Sequence, residues 1–290
     1  NSNEDFEHPE NLNENLNTTL SNINNFFKEK NVEEILNNAA SKLSTCGYEI
    51  LGTEQILQSI LENNDYEVTK FLDKTGVNKD VFAQKLQGIS SRSAEFENSE
   101  KQIIFTPNAF KAILLAIDTA RELGSVEIKP EHIILGMIKT KTGIAYHILK
   151  DLINDTESLE EKLTKEVTGK TPEMLSILRL AKEEAQNLNR TSIGTEMLLL
   201  GILGLGSGVG ASALHKLGIT LKDARYEVEK LVGCGSEHNN SPYEYTPRAK
   251  KALECAYEIA KSHNKTKISS ENLLYAITRQ KECLAMKVLE

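Results

Sequence analysis

Ile193-Gly194-Thr195-Glu196-Met197-Leu198-Leu199 decides the reading, because the chain writes it four times. The other copies are Leu51-Gly52-Thr53-Glu54-Gln55-Ile56-Leu57, Ile128-Lys129-Pro130-Glu131-His132-Ile133-Ile134 and Ile268-Ser269-Ser270-Glu271-Asn272-Leu273-Leu274. The glutamates are 77, 65 and 75 residues apart, and such self-similarity marks a repeat architecture. A second block, Thr-Pro, stands 25 residues before three of them, at Thr106-Pro107, Thr171-Pro172 and Thr246-Pro247; the first copy has Glu29-Lys30 there.

Thr-Pro predicts a helix start, with Thr as N-cap and Pro at the first helical position, where its missing N–H costs nothing. Behind it Met174, Leu178, Ala181, Ala185 and Leu188 step by four and three, as do Ile113, Ala116, Ala120 and Leu123 before Gly124 ends the run. The glutamate block starts a second helix whose positions two, three and six after Glu are apolar in all copies, including Ile60, Met137, Ile202 and Ile277. Position five is always small, Ser59, Gly136, Gly201 or Ala276, which predicts close approach of another helix. Val209, Leu214 and Leu217 match Ile144, Leu149 and Leu152 as a third helix, and Val228 with Leu231 predicts one more before Gly233. Strand signals are nearly absent, so the class is all-α.

The 290 residues suit about two domains. Long polar segments, Ser90 to Lys101 and Cys234 to Tyr245, lie inside the pairs of copies, whereas the second and third copies meet through little more than Gly169-Lys170. The expected division is an Asn-rich, poorly ordered extension over 1–28, with helix expected from Leu16 onward, one repeat pair over 29–169 and a second over 170–290. In the last copy Leu289 corresponds to Leu214, so counterparts of His215 to Gly233 are lacking. Either the chain is a piece of a longer protein or this repeat is trimmed.

Composition narrows the function. With 34 Lys and Arg against 42 Asp and Glu the formal charge is -8, which argues against a nucleic-acid partner. No apolar run reaches the length of a membrane span, and Asn1 to Glu10 has neither the basic nor the apolar region of a secretory signal. Cys46, Cys234, Cys255 and Cys283 are far apart and read as small buried hydrophobes in a reducing compartment, with neither a zinc site nor a disulfide framework. Gly169-Lys170-Thr171 ends like a phosphate-binding loop, but Thr164 stands where its first Gly is required. The glycine-rich run Gly204 to Ala211 follows an apolar helix rather than a strand, so it reads as an interhelix loop. His132 is in no metal-binding pattern, and no catalytic residue, metal or cofactor is expected.

Three stretches carry a family resemblance: Ile193-Gly-Thr-Glu-Met-Leu-Leu-Leu-Gly201, Leu221-Lys-Asp-Ala-Arg-Tyr-Glu-Val-Glu-Lys-Leu-Val-Gly233 and Tyr245-Thr-Pro-Arg-Ala-Lys-Lys251. They resemble the N-terminal domain of Clp-family AAA+ unfoldases of the ClpC type, and Leu-Lys-Asp-Ala-Arg resembles its plastid form. The resemblance covers residues 31 to 290 and implies tandem Clp helical repeats forming two pseudo-twofold bundles. It further implies a non-catalytic docking region that passes protein substrates or adaptors to an AAA+ ring coupled to a Clp peptidase ring, in a plastid or apicoplast stroma. The alternative is a stand-alone accessory subunit, like the small plastid proteins of the ClpT type, that binds the peptidase ring.

In bacterial ClpC relatives the Gly-Thr-Glu site also recognises phosphorylated arginine. The matching positions are Gly52, Thr53 and Glu54, and Gly194, Thr195 and Glu196; the other two copies keep only Glu131 and Glu271. Helix N–H groups would hold the phosphate and a carboxylate the guanidinium. A glutamate in a first helical turn is also favourable by about 0.3 to 1 kcal/mol with no ligand.

Overall fold

The computed structural model describes residues 22–46, 50–87, 104–153, 155–168, 172–235 and 243–290. Thr171, Gly169-Lys170, residues 1–21 and most of the two polar segments lie outside these. The first copy supplies α1 (Lys30–Cys46), α2 (Thr53–Glu62), α3 (Glu67–Lys74) and α4 (Lys79–Gln87). The second supplies α5 (Pro107–Glu122), α6 (Pro130–Thr140), α7 (Ile144–Ile153) and α8 (Thr156–Thr168). The third has α9 (Glu173–Asn187), α10 (Thr195–Leu205), α11 (Gly208–Lys216) and α12 (Leu221–Val232); the fourth has α13 (Pro247–Ser262), α14 (Ser270–Thr278) and α15 (Leu284–Leu289).

The protein is all-α, with one addition that the sequence reading lacks. The residues before the Gly-Thr-Glu helices form two-residue parallel pairs with the residues before the next Thr-Pro. β1 (Ile50–Leu51) pairs with β2 (Ile104–Phe105), and β3 (Ser192–Ile193) with β4 (Glu244–Tyr245). These pairs tie each second helix to the first helix of the following copy. The chain divides into two compact units, one of Asn17–Ala120 with Glu127–Lys170, the other of Arg121–Val126 with Thr171–Glu290.

The cores follow the apolar steps. In the unit holding the third and fourth copies, Met174, Ile177, Met197, Leu198, Ile202 and Ile277 are all buried in one cluster. The small fifth position is where first and second helices touch: a Cβ on Gly136 would collide with the Ala112 carbonyl oxygen, and one on Gly201 with that of Ile177. The first copy uses a serine there, and Ser59 Oγ donates to the Ile35 carbonyl at 2.9 Å.

Thr-Pro caps α5 and α13 as expected: Ala109 N–H donates to Thr106 Oγ1 and Ala249 N–H to Thr246 Oγ1, both at 3.2 Å. In the third copy the helix starts one residue later, at Glu173, with Pro172 as the cap. Its carbonyl already accepts the first helical bond from Ser176 N–H, and an extended ψ of 143° keeps Pro172 itself outside the helix.

Several expectations need correction. Gly204 to Ala211 is not one loop, because α10 runs to Leu205 and α11 begins at Gly208, leaving only Gly206-Ser207 between them. Of the apolar residues assigned to the third helix, Leu214 is buried, but Val209 and Leu217 are 62% and 76% exposed, since they stand at the ends of a nine-residue helix. Within the segment assigned to the extension, residues 22–27 are helical, in keeping with helix from Leu16 onward, but Phe26 is buried and Phe27 packs on Phe105 with ring centroids 5.6 Å apart. Two aromatics outweigh the surrounding asparagines. Of the three cysteines whose side chains are described, Cys283 is buried as expected, Cys255 is half-buried and Cys234 exposed; the Cys46 side chain lies outside the described residues. Among the described residues no single helix is long and apolar enough to cross a membrane, and no His, Cys, Asp or Glu group could hold a metal ion.

Candidate functional site

Each candidate glutamate is the second residue of its helix, behind an extended cap residue: Gly52, Lys129, Gly194 or Ser269. The cap residue decides where the carboxylate goes. A Cβ on Gly52 or Gly194 would collide with the Glu54 or Glu196 carboxylate, so glycine lets the acid fold back over its own helix start. With a serine cap, Glu271 instead reaches Lys265 Nζ at 2.6 Å, which holds its carboxyl below the usual range. Glu131, behind Lys129, is buried, and burial raises its carboxyl.

Glu196 is the most isolated of the four. It is 5% exposed, and its Oε2 has no hydrogen-bond partner. Burial pushes its carboxyl up, partly offset by the charge of Arg190, which itself donates to the Val232 and Gly233 carbonyls at the end of α12. Glu54 is more open, and accepts from Thr53 Oγ1 at 3.5 Å.

The residue after each glutamate completes or withholds a cap. Gly52 N–H donates to Gln55 Oε1 at 2.8 Å, Lys129 N–H to His132 Nδ1 at 3.0 Å and Ser269 N–H to Asn272 Oδ1 at 3.0 Å. Burial pushes the His132 imidazole down to about 3, so it stays neutral and accepts at Nδ1. In the third copy Met197 offers no acceptor, so the Gly194 N–H lacks this bond.

In three of the four copies the residue before the glutamate links two copies. Ala145 N–H, in the first turn of α7, donates to Thr53 Oγ1 at 3.2 Å, and Ala285 N–H of α15 donates to Thr195 Oγ1 at 3.3 Å. Ser270 returns the bond, accepting from Gly210 N–H of α11 at 3.1 Å. Pro130 has no hydroxyl to offer α3. Thr53 and Thr195 thus satisfy orphan helix N–H groups of the partner copy, and each joins the N-termini of two helices.

A third helix start stands beside two of the junctions. At the Thr53 junction Asn108 of α5 accepts from Thr142 Oγ1 at 3.1 Å, and Asn108 and Thr53 would both crowd a Cβ on Gly143. At Ser270 it is Glu173, whose Oε1 is buried without a partner and, like Ser270 Oγ, would collide with a Cβ on Gly208. Arg248 of α13 is engaged by Glu282, donating to its carbonyl and lying 3.8 Å from its carboxylate. The junction at Gly194-Thr195-Glu196 joins two helix starts beside a buried carboxylate whose Oε2 has no hydrogen-bond partner, whereas Glu173 already brings an anion to the Ser270 junction.

Gln55, Asn272, Ser270 and Glu173 were not expected as parts of these junctions. For the first three the signal is in the repeat alignment, because all the residues flanking the four glutamates except Pro130 and Met197 carry a good hydrogen-bond acceptor.

This arrangement defines a class: tandem helical repeats whose conserved-looking blocks are helix starts cross-linked between copies. The chain belongs to the family described as the Clp repeat N-terminal domain, whose model matches residues 29–152, 104–174 and 170–290. It is similar to the ATP-dependent Clp protease ATP-binding subunit ClpA homolog of Cyanidium caldarium, 45% identical over 120 residues that make up 41% of this chain and 14% of that protein. The chloroplastic chaperone proteins ClpC1 of Oryza sativa subsp. japonica and of Arabidopsis thaliana are each 43% identical over 120 residues, 41% of this chain and 13% of theirs. The chain thus spans a small part of the length of these relatives, and what it resembles is a ClpC-type, plastid-like N-terminal domain.

Proposed function

We propose that this chain is the substrate- or adaptor-docking region of a ClpC-like ATP-dependent chaperone of a plastid-type stroma, with no chemistry of its own. The similarity to chloroplastic ClpC chaperones supports the system and the compartment. The observation that carries the docking role is Glu196, a buried carboxylate with a free oxygen beside two helix starts joined through Thr195.

The ligand that suits this junction carries a guanidinium and a phosphoryl group together. Glu196 would pair with the guanidinium, while the Gly194 N–H and the helix dipoles would face the phosphate. The junction at Gly52-Thr53-Glu54 shares the carboxylate and the hydroxyl, but its Gly52 N–H is already taken by Gln55, so it would bind more weakly. Glu271 is engaged by Lys265, and Glu131 stands behind a proline; neither completes a paired, symmetric site.

Calorimetric titration of the whole chain with a phosphoarginine peptide tests this. The reading expects binding that Glu196→Ala abolishes, with stability changed by no more than about 1 kcal/mol, and that Glu271→Ala leaves intact. Equal affinity in the wild type and the Glu196 variant would retire the ligand.

A further inference from the structure

The four glutamate helices start from caps of one backbone shape. Gly52, Lys129, Gly194 and Ser269 are all extended, with φ of -95°, -116°, -91° and -116°, so each cap N–H stands in the same relation to the first turn of its helix. What differs is the side chain three residues on. Gln55, His132 and Asn272 accept the cap N–H at 2.8, 3.0 and 3.0 Å. The third copy has Met197 in that place, 0% exposed and part of the core cluster, and a thioether is at most a weak acceptor. Packing does not impose this choice. His132 and Asn272 hold the same position at 2% and 5% exposure, so a polar acceptor can be buried there.

The donor that Met197 leaves open lies against an acceptor in the same condition. Glu196 is 5% exposed, its Oε2 has no hydrogen-bond partner, and its carboxylate is folded onto Gly194, where a Cβ would collide with it. Buried backbone N–H groups are almost always paired, and here one helix start leaves both an N–H and a carboxylate oxygen to be filled. A guanidinium on Glu196 brings a phosphoryl group attached to it toward this N–H. The first copy supplies the contrast, because Gly52-Thr53-Glu54 is the same tripeptide on the same backbone with its N–H filled by Gln55.

We propose that Met197 is the specificity-determining residue of the third junction: by withholding an internal acceptor it reserves the Gly194 N–H for the phosphoryl group, and so makes this copy select phosphoarginine over arginine. Gln55, His132 and Asn272 close the same donor from within, which leaves their copies without that selectivity. The inference rests on the phosphoarginine reading of Glu196 and adds to it the residue that separates the two arginine forms.

The test titrates the whole chain, by calorimetry, with two peptides that differ only in whether their single arginine is phosphorylated. Met197→Gln, unbranched like methionine and carrying the acceptor of Gln55, is expected to weaken the phosphoarginine peptide by about tenfold or more while the unmodified peptide changes little. Met197→Leu, of similar volume and without an acceptor, is expected to leave both affinities unchanged. Selectivity retained in Met197→Gln, or lost equally in both variants, overturns the proposal, the second result because packing would then be the cause. Should Met197→Gln fail to fold, the partly exposed Gln55 decides: in a Glu196→Ala chain, Gln55→Met is expected to restore phosphoarginine binding that Glu54→Ala then removes, and no gain overturns the proposal. The underlying reading fails separately. If the wild type does not bind, or binds equally with Glu196→Ala, that reading falls and the proposal with it; binding lost with Glu196→Ala but unaltered by Met197→Gln removes the proposal alone.

Discussion

Two glycines of α10, one turn apart, should respond oppositely to the same substitution. A Cβ on Gly201 collides with the Ile177 carbonyl oxygen and comes within 3.2 Å of Ala181 N, so Gly201→Ala must push α9 and α10 apart. Overpacking of this kind costs about 1 to 3 kcal/mol, and alanine's better helix propensity returns about 0.5 to 1 of it, leaving a loss centred on about 1 and reaching about 2.5 kcal/mol. A Cβ on Gly204 meets nothing closer than Leu180 Cδ1 at 3.6 Å, an ordinary contact. Gly204→Ala should therefore keep the propensity gain and stabilise by about 0.5 to 1 kcal/mol. Urea unfolding followed by circular dichroism, fitted as two transitions because the chain has two units, would read both shifts. The midpoint of the unit holding α10 should fall for Gly201→Ala and rise for Gly204→Ala. Shifts of the same sign in both variants would refute the close α9–α10 contact that positions Glu196.

Thr195→Val should cost about 0.5 to 2 kcal/mol by leaving the Ala285 N–H without its acceptor, whereas Thr195→Ser should be nearly neutral; hydrogen exchange at Ala285 would show the lost protection. His132, neutral in the folded chain down to about 3, makes stability fall as the pH drops below its ordinary value of 6.5 toward about 3, because only the unfolded chain takes up the proton there. His132→Gln, which keeps an acceptor as Gln55 does, should flatten that part of the stability–pH profile. Glu131 and Glu196 act in the opposite sense, their folded carboxyls being raised: their contribution is full at low pH and is lost as the pH rises through the folded values. Glu196→Gln should remove part of that loss, measured as the difference in unfolding midpoint between acidic and neutral pH.

The repeat made most of the fold legible. Thr106 and Thr246, the apolar steps behind them and the small residues at 59, 136, 201 and 276 carry the helix starts and the helix contacts, because capping and close packing are local requirements written at fixed offsets. What composition hides is long-range. The pairing of Ile193 with Tyr245 across 51 intervening residues has no periodic signature in two-residue strands. The anchoring of Phe26 was masked by the asparagines around it.

The glutamates were legible as residues but not as a site. Their spacing identifies four equivalent positions, yet the structure makes them unequal through their neighbours: Gly194 admits the folded-back carboxylate, Met197 withholds a cap, Lys265 captures Glu271, and Glu173 brings an anion to the Ser270 junction. Glu173 is 97 positions from Ser270 in the chain, so only the fold brings them to one junction.

The central claim is that the chain receives client protein rather than attaching to a peptidase. Native mass spectrometry of the chain mixed with equimolar arginine-phosphorylated client and purified Clp peptidase ring tests it in one vessel. The account predicts chain–client complexes, lost with Glu196→Ala, and a peptidase ring free of the chain. A chain–ring complex that forms without client and survives Glu196→Ala would contradict it and make the protein an accessory subunit of the peptidase.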